Sequence, residues 1–368
     1  MTTANTFTSV TFTLPTSPAI STTYNNLMLR VQIREPFPSS GFLRINFPNT
    51  VGFTFTGTAV VTSQNTTELL LSNVAGSDLT STFSFINLFN SFSVVTPPNT
   101  RSFDITFTSL FESSGVYYDI DSSTVTITPG TGILTGLSVN AASTTVNDQT
   151  IYSIGFTTAN ALIVGSYIGV TFPSSVSLAM SGNCSSNINV LSCAIVNNNY
   201  VNFTVSGVLA ANTAVVLTFA PVTNPNQAIT TVSFQIITYY DSGLDSKVDS
   251  ATTGLTITAT ARPLSNVTVT PASLVTYALT EYVFAAEMLD PIPSGGSIHI
   301  IFPTVITLSS VSLKSASFVT TSCAVSVSNS TVSLNSCFGS GLAAGTLQFV
   351  LDGINNPPSL EPTTSFSI

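Results

Sequence analysis

Apolar and small polar residues alternate along most of this 368-residue chain. SVTFTL (9–14), SFDITFT (102–108), STVTITP (123–129), YVNFTVSGV (200–208), AVVLTFAPV (214–222) and GLTITA (254–259) all follow this rhythm. A spacing of two puts apolar side chains on one face of a strand, so each segment predicts antiparallel sheet with one face buried and the other wet. Gly, Pro, Asn and Asp clusters separate the segments and mark turns. No sustained helical period occurs, although ANALIV (159–164) has the composition for a single helical turn. Several short strands between such turns predict a β-sandwich.

The pattern also repeats. GFLRINFPNTVGF (41–53), GSYIGVTFPSSVSL (165–178) and GGSIHIIFPTVITL (295–308) align on the Phe-Pro pairs that begin at Phe47, Phe172 and Phe302. Leu43, Ile168 and Ile298 precede each Phe by four positions, and Ile45, Val170 and Ile300 precede it by two. Proline removes a ladder donor, which suits the end of a strand. A second phrase recurs as TPPNTRSFDI (96–105), TNPNQAITTVSFQI (223–236) and NNPPSLEPTTSFSI (355–368). Both landmarks return about every 130 residues, the length of an independent domain and too long for a solenoid unit. Three tandem antiparallel β-sandwich domains are therefore expected at 1–130, 131–261 and 262–368, joined near TITPGTGILTG and TITATARPLSN. The first two repeats run on past the second phrase into STVTITP and GLTITA, so the third is expected to lack its final strand. That strand is expected from beyond Ile368 or from another subunit, because an open edge invites pairing.

Composition narrows the function. Only 6% of residues are charged, 43% are hydrophobic, and the net charge is −9 with seven basic residues. That balance argues against nucleic acid and against anionic membrane surfaces. No apolar run reaches the roughly 18–20 residues of a spanning helix. The opening MTTANTFTSVTFTLP lacks the basic start and apolar block of a signal peptide, so for a secreted protein the expectation is a signal that has been removed or lies outside this sequence. There is one histidine and no tryptophan. No metalloprotease, nucleophile-elbow, phosphate-loop or dinucleotide motif occurs. His299 stands in an alternating segment on the face opposite Ile298 and Ile300, as a surface-strand residue would. The chain reads as a non-enzyme with no cofactor.

Four cysteines form two local pairs, and the expected disulfides are Cys184–Cys193 and Cys323–Cys337, each closing a hairpin or loop. Free buried thiols are the alternative; zinc is disfavoured because the single histidine is far in sequence from both pairs. N-x-S/T triplets begin at Asn65, Asn183, Asn202, Asn266 and Asn329, which are candidate glycosylation sites. Paired cysteines, sequons and scarce charge together point to an extracellular or cell-surface glycoprotein. Acidic residues gather in ESSGVYYDID (112–121) and DSGLDSKVDS (241–250). Turn chemistry accounts for both. The sharper reading makes Asp119, Asp121, Asp241, Asp245 and Asp249 candidate calcium ligands at a domain junction, although their spacing matches no EF-hand.

The G…I.I.FP..V.L phrase, the cysteine pair, G(I/V).NPP…PT.SF.I and YD…(I/L)D together resemble the tandem repeats of large cell-surface proteins of ciliates and related protists. LDGINNPPSLEPTTSFSI (351–368) carries the likeness best, and the first repeat, without cysteines, carries it least. The resemblance implies immunoglobulin-like arrays that build coats, fibres or adhesive layers. Two functions stand open. One is a structural segment of an extracellular filament or coat, whose partners are copies of itself or further repeats. The other is an adhesin binding a glycan or protein through exposed loops. Absent tryptophan and Phe alternating into cores favour the first.

Overall fold

The computed structural model describes residues 4–15, 18–80, 84–318 and 323–368. Among them every regular element is a β-strand. The chain divides into two compact units: Met1–Ser143 with Gln149–Asn224 and Thr230–Thr258, and Thr144–Asp148 with Pro225–Ile229 and Ala259–Ile368.

The first unit holds two hydrophobic cores, each enclosed by a pair of sheets. Around the first core, Ser9–Phe12, Thr23–Gln32, Phe85–Val95 and Gly52–Phe55 form one antiparallel sheet in that order. The opposing sheet runs Val60–Gln64, Glu68–Ser72, Phe42–Asn46, Phe103–Ser113, Val116–Ile127. Around the second, Thr135–Ala141, Gln149–Thr157, Ala214–Thr223 and Ser177–Ser186 oppose a sheet centred on Tyr167–Thr171, Tyr200–Val205 and Gln235–Tyr239. The second unit repeats the plan around one core: Ser265–Pro271, Leu279–Met288, Gly345–Asn355 and Thr307–Ala316 against Ile298–Ile301, Thr331–Asn335 and Ala324–Ser328.

The alternating residues sit as their period requires. Leu43, Ile45, Ile168, Val170 and Ile300 are fully buried, Ile298 nearly so, and the exposed His299 lies between the two isoleucines. The three Phe-Pro pairs end their strands by one mechanism. Phe47, Phe172 and Phe302 each donate a last amide bond to the neighbouring chain, at 2.8, 2.7 and 2.8 Å. Proline then has no amide to continue the ladder. Its carbonyl instead accepts the amide three residues on, from Val51, Val176 and Ile306 at 3.0, 2.9 and 3.0 Å, which turns the chain. The rings fill the cores: Phe172 meets Phe219 edge-on at 5.0 Å and Phe234 at 5.3 Å, and Phe302 meets Phe366 at 5.3 Å. Burying one such ring stabilises by about 2–3 kcal/mol.

The Asn-Pro phrase is a buried polar lock. Asn224 accepts the Tyr152 hydroxyl at 2.6 Å and donates to the Ser143 carbonyl at 2.8 Å. Asn356 accepts the Tyr282 hydroxyl at 2.7 Å and donates to the carbonyls of Ser273 and Val275. In the first repeat Thr96 takes this place and bonds the Ala19 carbonyl at 2.7 Å. Burial pushes both tyrosine hydroxyls above their ordinary range.

ANALIV does not form a helical turn. Leu162 is buried and exchanges both backbone bonds with Leu209, at 2.9 and 2.8 Å, so tertiary pairing overrides local propensity.

Candidate functional site

The aspartates singled out in the sequence do separate jobs. Asp121 and Asp249 are fully buried, and each caps a loop. Asp121 Oδ2 accepts the amides of Arg34 and Glu35, both at 3.2 Å. Asp249 Oδ2 accepts those of Ala159 and Asn160, both at 3.1 Å, and its Oδ1 accepts the Asn160 side chain at 2.6 Å. Burial raises the Asp121 carboxyl above its ordinary range, and the two amides offset only part of that rise. Asp119 pairs with Arg44 at 2.6 Å. Asp241 accepts Arg101 at 2.8 Å and the Ser246 hydroxyl at 2.9 Å. Asp245 is exposed in the adjoining turn. Among the described residues, no three His, Cys, Asp or Glu side chains gather where they could hold a cation. The turn reading of ESSGVYYDID fits: Ser114 and Gly115 both adopt positive φ, +56° and +80°, and close the hairpin.

The cysteines are bonded within their pairs. Cys184 lies on Ser177–Ser186 and Cys193 on Val190–Asn197, which belong to opposite sheets, with Cα atoms 6.1 Å apart. This bridge pins the connection where the chain crosses the sandwich, a role that spacing alone does not reveal. Cys323–Cys337, with Cα atoms 4.0 Å apart, closes the open end of the Ala324–Ser328 and Thr331–Asn335 hairpin. Asn65, Asn183, Asn266 and Asn329 are exposed, while Asn202 is half-buried in a strand. His299 bonds the hydroxyls of Ser297 and Ser333 at 3.0 and 2.8 Å, both neutral partners.

Two cavities stand out. In the first unit a cleft of about 680 Å³, with mixed polar and apolar walls, lies where the second phrase of repeat 1 meets the hairpin at Asp241. Asn46, Asn49, Asn99, Arg101, Asp104 and Tyr240 line it. The Arg101–Asp241 pair and a bond from the Thr100 amide to the Lys247 carbonyl, 3.1 Å, fix its two sides. In the second unit a cavity of about 400 Å³ is lined by Leu264, Met288, Ile292, Ile298 and Ile368, with Arg262 and Asp290 at its polar end. Arg262 is held by Asp290 at 2.8 Å and also by Asp148. Sequence reasoning missed both cavities, and only the recurrence of Asp before Ser in DIDS and KVDS hinted at the loop caps.

No protein-family model and no curated protein matches this chain. Solved structures that it resembles include the collagen adhesin of S. aureus, at 9% identity and TM-score 0.22, covering 70% of this chain and 93% of that one. The Escherichia coli adhesin FdeC shares 11% identity at TM-score 0.22, covering 96% and 94%. A putative membrane anchored protein of Corynebacterium diphtheriae shares 11% at TM-score 0.22, covering 97% and 85%. At such identities and TM-scores the likeness is confined to strand-rich architecture and carries nothing about ligand or partner. No helix among the described residues is long and apolar enough to cross a membrane.

Proposed function

We propose that this chain is a non-catalytic structural segment of an extracellular or cell-surface coat or filament, built from glycosylated β-sandwiches in series. One observation carries the reading: the recurring motifs are spent on the fold. Phe-Pro ends a strand, Asn-Pro locks a loop to a core tyrosine, and the Val/Ile-Asp-Ser aspartate caps a loop. Repetition that serves architecture is what an array protein needs, and it leaves no convergent catalytic set among the described residues. The disulfides and exposed sequons support an oxidising, external compartment. Immunogold labelling of intact producing cells, with electron microscopy of detached material, tests it. Label in a regular external layer or filament is expected; intracellular label with free thiols and bare asparagines overturns it.

The cleft at Arg101 and Tyr240, where polar side chains stand beside Phe47 and Phe103, favours a second reading, an adhesin. Carboxamides, a guanidinium and a phenol around one concavity suit a polyhydroxylated ligand such as a glycan. Glycan-array binding abolished by Arg101→Ala would move the assignment to that reading.

A further inference from the structure

The outer face of the second repeat's sheet departs from its counterparts at one place. Arg44, Gly169 and His299 each stand three residues before the Phe of a Phe-Pro pair, on the face turned away from the core. Arg44 and His299 fill that face, one paired with Asp119 and the other bonded to Ser333. Gly169 leaves it bare, and the ring of Tyr200 lies across the gap. A Cβ on Gly169 would come within 2.5 Å of the Tyr200 hydroxyl oxygen and 3.2 Å of its ring carbons. So close an approach of a ring to the main chain requires glycine. Tyr200 comes from the neighbouring strand, where Tyr200 pairs with Thr171 and Asn202 with Gly169. The residues corresponding to Tyr200 in the other repeats are Glu68 and Thr331, neither of them aromatic.

Asn202 follows Tyr200 by two positions, so both side chains rise from the same face. Both residues are half-buried and keep surface open to solvent. Asn202 heads the triplet Asn-Phe-Thr. The Tyr200 hydroxyl donates to Asn202 Oδ1 at 3.3 Å, a bond that uses the carboxamide oxygen and not the nitrogen to which a sugar is attached. On its other side Asn202 faces Ala194, so the two smallest residues flank it across the neighbouring strands. In repeats 1 and 3 the corresponding hairpin carries its triplet in the turn, at Asn65 and Asn329. In repeat 2 the turn has none, and the triplet stands on the strand beside the ring.

We propose that Asn202 carries an N-linked glycan whose first N-acetylglucosamine stacks on the Tyr200 ring. The C–H groups of a pyranose face are apolar, and a tyrosine ring held against a sheet offers them an apolar surface at little cost in side-chain freedom. The donor is a lipid-pyrophosphate-linked oligosaccharide. The bond from Asn202 Nδ2 to the sugar C1 forms as the C1–O bond to pyrophosphate breaks; Nδ2 loses one proton and the lipid pyrophosphate leaves. Transfer to the unfolded chain precedes formation of the strand, so half-burial of Asn202 in the folded sheet does not obstruct it. The inference rests on the reading of the chain as an external glycoprotein, and it names one site where the glycan becomes part of the packing.

Glycopeptide mapping of the protein from the cells that produce it is the first test, and Asn202 is expected to be occupied. A bare Asn202 with glycan on other sequons overturns this inference alone; five bare asparagines overturn the glycoprotein reading with it. The second test follows urea unfolding of the intact secreted chain after an endoglycosidase has trimmed every glycan to its first sugar. The trimmed parent is expected to have a folding equilibrium constant about three- to tenfold larger than the trimmed Asn202→Gln variant, the worth of one ring-stacking contact. Tyr200→Thr should abolish that difference and Tyr200→Phe should keep it. Equal stability of the parent and Asn202→Gln, or a difference that survives Tyr200→Thr, overturns the stacking. The parent comparison leaves Tyr200 untouched and so remains decisive even if Tyr200→Thr does not fold.

Discussion

Removing the Asn356 side chain tests whether the Asn-Pro phrase is structural. Asn356 is 5% exposed and Tyr282 3%. The carboxamide makes three bonds: from the Tyr282 hydroxyl at 2.7 Å, to Ser273 O at 2.7 Å and to Val275 O at 2.8 Å. Asn356→Ala deletes all three. The hydroxyl is left buried without a partner, which costs about 1–3 kcal/mol. Water reaches the two loop carbonyls more readily, since Val275 is 66% exposed, so they add roughly 1 kcal/mol in lost loop order. The sum is about 2–4 kcal/mol. Tyr282→Phe deletes one bond and should cost about 1–2 kcal/mol. The double variant should cost less than the two singles added, by about 1 kcal/mol, because the hydroxyl that Asn356→Ala orphans is no longer there. With no tryptophan in the chain, urea unfolding is best followed by far-ultraviolet circular dichroism. An Asn356→Ala variant within about 0.5 kcal/mol of the parent, or strictly additive singles, would refute the lock.

Replacing Cys184 and Cys193 together by serine should cost about 3 kcal/mol from the loop entropy released, read as a lower urea midpoint; an unchanged midpoint would mean that the bridge constrains nothing. Phe302→Ala should cost about 3–5 kcal/mol while His299→Ala, beside it on the wet face, stays within about 0.5 kcal/mol, and similar losses for both would contradict the strand's facing. Burial raises the Asp121 carboxyl above its ordinary 3.8, so the fold binds that proton more tightly than the unfolded chain does. The stability this group contributes is full below 3.8 and is lost as pH rises through the raised folded value. Asp121→Asn should therefore gain on the parent as pH is raised across that window, and a difference that stays flat with pH sinks the assignment.

Sequence alone determined what depends on period and on local covalent chemistry. Alternation at two residues placed Leu43, Ile168 and Ile300 in cores because a strand admits no other facing. Phe-Pro ended strands because proline has no amide, wherever the strand lies. Both cysteine pairs are bonded as their proximity in the chain suggested. What depends on bringing distant segments together was not legible. The spacing of Cys184 and Cys193 does not say that one lies on each sheet. Asp121 and Asp241 stand in two acidic stretches that looked alike in sequence, yet one is fully buried under a loop 86 residues away and the other is paired with Arg101, 140 residues away. A carboxylate's role is set by which amides and cations the fold carries to it, and those partners come from loops far away in the chain. The same limit hid the three loops ending at Phe37, Leu162 and Ile292: their residue types differ, and the conserved feature is a pair of backbone amides that every sequence possesses. Only the arrival of the first two beside a buried aspartate gave them meaning.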